Sequence, residues 1–216
     1  MAFVGILISF LFSNAQAFSE SDLKAGDLLL QSIPCYVCSL IEIEEGQPYS
    51  HIGVVLTKNK KISVLQSWQK VQALTLKDSL ALRTPGSATL VLRAIDENER
   101  ELKWDAKKLN TIFERDFAGL SYDEDFLWDN RDAIGEKLYC SEFVAKFINR
   151  FLPVQLSPQP MHFIHYRTDW ISYFHGTPPD GKLGLSPSDF LESPLFKTVG
   201  ELKSDEDHAA SSSRPN

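Results

Sequence analysis

Leu138-Tyr-Cys-Ser-Glu-Phe-Val144 is the stretch on which the reading of this chain turns. Downstream of it, Phe143, Val144, Phe147, Ile148 and Phe151 recur at helical spacing and form one apolar stripe. The spacing predicts a helix from about Cys140 to Phe151, and Pro153 prevents its extension. Cys140 then stands at the helix start. There, unpaired N–H groups and the positive end of the helix dipole lower a thiol's pKa and favour the thiolate. The plainer alternative is a small buried hydrophobe at a helix start. A cysteine nucleophile also needs an imidazole partner and a group that orients the ring.

Five histidines are available: His51, His162, His165, His175 and His208, the last in a polar tail. His51 opens the β-branched run His51-Ile-Gly-Val-Val-Leu56, at a point where a side chain can project from a sheet edge. A second run, Ile62-Ser-Val-Leu-Gln-Ser-Trp68, follows the polar turn Thr57-Lys-Asn-Lys-Lys61, so the two form a hairpin. A turn centred between Lys58 and Asn59 sets His51 directly opposite Gln66, on one face and within hydrogen-bond reach. A one-residue change of loop length would send Gln66 to the other face. As an uncharged group, Gln66 would orient the ring but stabilise an imidazolium less than a carboxylate would.

The remaining pattern is that of one α+β domain. Gly26-Asp-Leu-Leu-Leu30 and Thr89-Leu-Val-Leu-Arg-Ala-Ile95 read as strands. Pro34 to Ile43 reads as a two-turn helix with Pro34 at its first position. Glu97 to Phe117 reads as a charged helix with Leu102, Leu109, Ile112 and Phe113 on one face. Tyr122-Asp123 and Trp128-Asp-Asn130 lie in the loop just before the Cys140 helix, a natural wall for a substrate cleft or simply a structured loop with aromatic anchors. Residues 153–200, rich in Pro, Gly and aromatics, read as irregular but packed, and 204–216 as a disordered tail.

The chain has 216 residues, 43% of them hydrophobic, enough for a buried core and against wholesale disorder. Its net charge of −7 leaves no basic surplus for phosphates, which excludes nucleic acid as a partner. The apolar run Met1 to Phe12, followed by Ala15-Gln16-Ala17, is too short for a membrane span and ends in a small-x-small cleavage site. Residues 1–17 therefore read as a secretory signal, although no Lys or Arg precedes the run. The mature chain is expected to begin at Phe18, outside the cytoplasm, in the periplasm or secreted, with no membrane anchor after processing. Cys35 and Cys38 form a Cys-x-x-Cys pair. A structural disulfide, buried free thiols and a redox or metal role all remain open for it. His162 and His165 would complete a four-ligand zinc set only if the fold brought them together.

Gly26-Asp27, Tyr49-Ser-His-Ile-Gly-Val-Val55, Val64-Leu-Gln66, Gly119-Leu-Ser-Tyr122-Asp123, Tyr139-Cys-Ser-Glu-Phe-Val144 and Leu185-Ser-Pro-Ser-Asp189 together resemble the permuted papain-like amidases of the YaeF/YiiX type. These form the circularly permuted branch of the NlpC-type cysteine peptidases, in which the histidine precedes the cysteine. The resemblance implies a circularly permuted papain-like fold over residues 18–203. In it, an antiparallel sheet carrying His51 packs on a helix whose N-terminus carries Cys140. It implies Cys140 as nucleophile, His51 as base and Gln66 at a third position that is commonly Glu in relatives. Tyr122, Asp123 and Tyr49 are the expected substrate contacts. The implied reaction is acyl transfer to Cys140 and hydrolysis of the thioester, without metal or cofactor, on peptide amides such as peptidoglycan stem peptides. Lipid esters or N-acyl amides, a non-catalytic binding protein with a relaxed triad, and a thiol redox protein using Cys35 and Cys38 are the alternatives.

Overall fold

In the computed structural model of the chain, residues 18–59 and 61–203 are described. The signal expected at 1–17 and the tail expected at 204–216 lie outside the described residues.

Alternating apolar residues build one antiparallel sheet of six strands. In chain order these are β1 (Leu28–Gln31), β2 (His51–Lys58), β3 (Lys61–Trp68), β4 (Lys70–Thr75), β5 (Thr89–Ala94) and, after a short β6 (Gln159–Pro160) and β7 (Leu183–Gly184) that pair with each other, β8 (Phe196–Leu202). Their order across the sheet is β4-β3-β2-β1-β5-β8. The period of two splits the sheet's side chains between two cores. Leu28, Leu30, Ile52, Val54 and Leu65 face α3 (Ala106–Asp116) and α4 (Cys140–Ile148), meeting Leu109, Phe113, Phe143 and Phe147. Leu29, Val55, Val64 and Val91 face the other way, toward Leu76 of α2 (Leu76–Ala81). A third cluster joins α1 (Tyr36–Glu45) to α5 (Arg167–Tyr173) through Leu40, Phe126, Tyr139, Phe163 and Trp170.

The expected elements shift where local side-chain bonds compete with them. The helix expected from Glu97 begins only at Ala106. Asp96 Oδ1 first accepts the N–H groups of Asn98 and Arg100 and closes a tight turn, and Asp105 then caps the helix. Helix α4 ends at Ile148 rather than Phe151, because Asn149 turns its amide onto both backbone groups of Leu156. Pro34 lies outside α1, whose N-cap is Cys35. The segment expected to be irregular contributes α5, α6 (Pro187–Glu192) and the edge strand β8.

The Gly26-Asp27 pair anchors the sheet's centre. Gly26 adopts φ +91°, and a Cβ there would lie 2.3 Å from the Trp104 ring, so only glycine fits. Asp27, buried, takes a two-pronged bond from Arg93 of β5 at 2.7 and 2.8 Å. Removing one partner would strand a buried charge, at a cost of about 3–5 kcal/mol.

Candidate active site

The β2–β3 hairpin pairs Lys58 with Lys61 and Val54 with Leu65. The turn therefore falls one position later than the sequence reading placed it. Continued, this register sets Trp68 opposite His51, and the two rings pack edge to face at 5.7 Å. Gln66 moves to the diagonal position. The slip is two residues in partner number, so the face is preserved. His51 Nε2 lies 3.2 Å from Gln66 Oε1, with both residues buried. Glycine at position 53, opposite Gln66, keeps this approach open: a Cβ there would lie 3.3 Å from the Gln66 Cβ and 2.6 Å from Val64.

The ladder between β2 and β3 stops at Val54 and Leu65, although both strands continue. Beyond that point the two strands meet the segment that leads into α4. Ser67 Oγ donates to the Leu138 carbonyl at 2.6 Å. Cys140 Sγ lies 3.9 Å from the Ser50 carbonyl, and the Ile52 N–H points at the sulfur. The thiol is thus lodged against the backbone on either side of His51. Gln66 Oε1 is an acceptor, so it holds His51 Nε2 in its protonated form and leaves the lone pair on Nδ1. Ser79 of α2 donates a second bond to the same Oε1 at 3.2 Å. Gln66 Nε2 has no partner among the described residues.

Burial governs the charge states of Cys140 and His51. It pushes the Cys140 thiol up to about 11, against the opposing pull of the N–H groups of Ile52, Ser141 and Cys140. It pushes His51 down to about 4, opposed only weakly by Gln66. The expectation that the helix start lowers the thiol pKa is therefore corrected. The N–H groups do point at the sulfur, but desolvation outweighs them. At neutral pH Cys140 rests as a thiol and His51 as a neutral imidazole.

A cleft of about 490 Å³, counting its open mouth, runs past Cys140. Tyr122, Phe126, Tyr139, Phe163 and Trp170 give it an aromatic lining. Glu44 and Glu45 of α1 stand at its rim, and the described lining residues include no Lys or Arg. Glu44 is committed to the fold, accepting from the N–H groups of Ile164 and His165 and from Trp170 Nε1. Burial raises the pKa of Glu45, as do its neighbours Asp189, Glu192 and Glu44, while a bond from Ser186 lowers it.

The three expected substrate contacts part company. Tyr122 lines the cleft, and its hydroxyl pKa is raised by burial and then by the nearby Cys140. Asp123 is absent from the lining. Fully buried, it staples the loop before α4, accepting from the N–H groups of Asp125 and Leu127, the Asn130 amide and Lys137. Tyr49 is also absent from the lining and packs, half-buried, against the main core. Glu142 of the Tyr-Cys-Ser-Glu motif faces away from the cleft. It holds the Asp129 N–H and Lys146, and burial raises its pKa to about 7. Cys35 and Cys38 are joined in a disulfide, which removes both thiols from any zinc set. His162 lines the cleft, while His165 lies exposed beside Glu44. Ser67, Ser79 and Glu44 had no spacing signal. Their roles depend on strands and helices that meet only in the fold.

The sequence profile of the family described as "permuted papain-like amidase enzyme, YaeF/YiiX" matches residues 22–200. The chain is 26% identical over 159 residues to "Uncharacterized protein YiiX" of Escherichia coli strain K12, covering 71% of each. The crystal structure of a protein described as metalloprotein yiiX from Escherichia coli O157:H7 superposes with a TM-score of 0.70. It does so at 22% identity, over 84% of this chain and 98% of that one. The antiparallel sheet with α4 packed on one face is the permuted papain-like fold of that structure. The chain belongs to the permuted papain-like amidase family.

Proposed function

We propose that this family member is an exported cysteine amidase or peptidase, acting through Cys140, His51 and Gln66 on amide bonds of cell-wall peptides. The observation that carries the reading is the lodging of Cys140 Sγ between the Ser50 carbonyl and the Ile52 N–H, with the intervening His51 oriented by Gln66.

The neutral resting pair sets the order of events. The Cys140 thiol passes its proton to His51 Nδ1 as the sulfur attacks the carbonyl carbon. The N–H groups at the start of α4 stabilise the oxyanion. The tetrahedral intermediate expels the amine, which takes the proton from His51. Water, deprotonated by His51, then hydrolyses the thioester. Tyr122 and the aromatic lining position the acyl side. A second reading, hydrolysis or transfer of lipid ester or N-acyl groups, is favoured by the same lining, which offers an apolar surface and no cation for a substrate carboxylate.

The word metalloprotein belongs to the description of the relative. Among the described residues here, no group of three or more His, Cys, Asp or Glu side chains is placed to hold a metal ion, so the site residues do not fit one. No step above passes through a metal.

The test is turnover of Cys140→Ser on stem-peptide fragments and on N-acyl amides, with folding checked by circular dichroism. Loss of hydrolysis in a folded variant, together with an acyl adduct on wild-type Cys140 by mass spectrometry, is the expected result. Near wild-type turnover in the variant would sink the assignment, and the substrate that leaves the adduct decides between the two readings.

A further inference from the structure

The geometry points to a second sulfur site, separate from Cys140: the Cys35–Cys38 disulfide is an exchangeable dithiol pair that reacts with an external thiol at Cys35. This inference stands apart from the hydrolase reading and uses none of its residues as reactants.

Three observations carry it. First, the two sulfurs are not equivalent. Cys38 is 3% exposed, whereas Cys35 is only half-buried. Second, Cys35 is the N-cap of the ten-residue helix α1, and its Sγ accepts the Cys38 N–H at 3.1 Å. An N–H donor and the positive end of a helix dipole both favour a thiolate on Cys35 once the bond opens. A disulfide whose reduced form is so stabilised is more readily reduced. Third, Cys35 opens onto a groove lined by Trp68, Tyr122, Tyr173, Phe174 and His175, which shares Tyr122 with the cleft. An incoming thiol therefore has a path to Cys35.

A purely structural role fits poorly. The bridge spans a sequence separation of only three residues, so it removes little freedom from the unfolded chain. Helix α1 is also held without it. Tyr36 bonds Asp169, Glu42 bonds Ser50, Glu45 bonds Ser186, and Leu40 packs in the aromatic cluster.

The exchange balances as follows. A thiolate from the external thiol attacks Cys35 Sγ, the Cys35–Cys38 bond breaks, and Cys38 leaves and takes up a proton. A second external thiolate attacks the external sulfur of the mixed disulfide and releases Cys35 as a thiolate. Two external thiols are oxidised to a disulfide and the protein pair is reduced by two electrons. The reverse direction oxidises the pair.

The experiment uses the full chain carrying Cys140→Ser, so that the only thiols come from the pair. Reduction of the folded protein by dithiothreitol and by glutathione is followed by alkylation and mass shift, with circular dichroism confirming that the fold persists. The expected result is reduction in the folded state, complete at a lower equilibrium dithiothreitol concentration than an unstructured Cys-Tyr-Val-Cys peptide requires. Single variants then assign the attacked sulfur. The thiol of Cys35 in Cys38→Ser should be alkylated at least roughly tenfold faster at neutral pH than that of Cys38 in Cys35→Ser. A bridge that stays oxidised until denaturant is added would overturn the proposal. Equal alkylation rates for the two thiols would also overturn it.

Discussion

Replacing Gln66 by alanine tests the orienting group directly. Gln66 Oε1 accepts from His51 Nε2 and from Ser79 Oγ, each at 3.2 Å, in a fully buried setting. Alanine strands both donors, at about 1–3 kcal/mol each, so the folded protein should lose about 2–6 kcal/mol in denaturant melts. The ring also loses the bond that keeps its proton on Nε2 and its lone pair on Nδ1. General-base assistance contributes roughly 10²–10⁴-fold in all, so loss of orientation alone should lower kcat by about 10- to 100-fold. KM should hold, because Gln66 does not line the cleft.

Gln66→Glu supplies the sign. A carboxylate beside His51 favours the protonated ring and raises its pKa from about 4, by roughly 1–3 units. In the proposed mechanism neutral His51 is the base, so activity needs a pH above that value, and the acid limb of the pH–rate profile should move upward. The second oxygen of the glutamate would take the place of the unpartnered Gln66 Nε2 and find no donor. Carboxyl and imidazole should then titrate as a pair. Unchanged rate and unchanged pH profile in both variants would refute the reasoning and send the search for the orienting group elsewhere.

The depressed His51 pKa also carries a stability prediction. The unfolded ring titrates near 6.5 and the folded one near 4, so between these values the unfolded state binds more protons. Roughly 3 kcal/mol present above pH 6.5 should be lost as pH falls through 4, and urea melts of His51→Gln should lack that slope. Asp123→Ala should loosen the loop before α4, speeding hydrogen exchange at the Leu127 amide and raising KM through Tyr122 more than it lowers kcat. Mass spectrometry of the natively expressed protein should find Phe18 at the amino terminus, and an intact 1–17 on the bulk of the protein would contradict export by a cleaved signal.

The hairpin, the Cys140 helix and the face shared by His51 and Gln66 were legible because they rest on local periodicity. The face survived a misplaced turn because strand sidedness depends on parity alone. Helix α2 was not legible: Leu76-Lys-Asp-Ser-Leu-Ala81 is too short to show a period, yet it brings Ser79 to Gln66. Strand β8 was hidden by the irregular composition before it, and only pairing with β5 defines it. Asp123 was ambiguous for a different reason. A carboxylate beside a tyrosine near a catalytic helix looks the same in sequence whether it faces a substrate or four donors of its own loop.

On the mechanism proposed above, a neutral resting state lets glutamine serve as the third member of the triad. Before attack, His51 bears no charge, and all that is required of its partner is an acceptor that fixes the tautomer, which an amide oxygen supplies. The deficit appears only as the thiol proton arrives and the ring becomes an imidazolium. Burial disfavours that cation, and Gln66 offers it a dipole instead of a charge. The chemical step should therefore be slower than with a carboxylate. In exchange, the base stays unprotonated down to about pH 4. The proposed hydrolase should therefore be slower at neutral pH than its Gln66→Glu variant and should hold its activity further into acid, and a pH–rate comparison of the two that shows the reverse order would refute this.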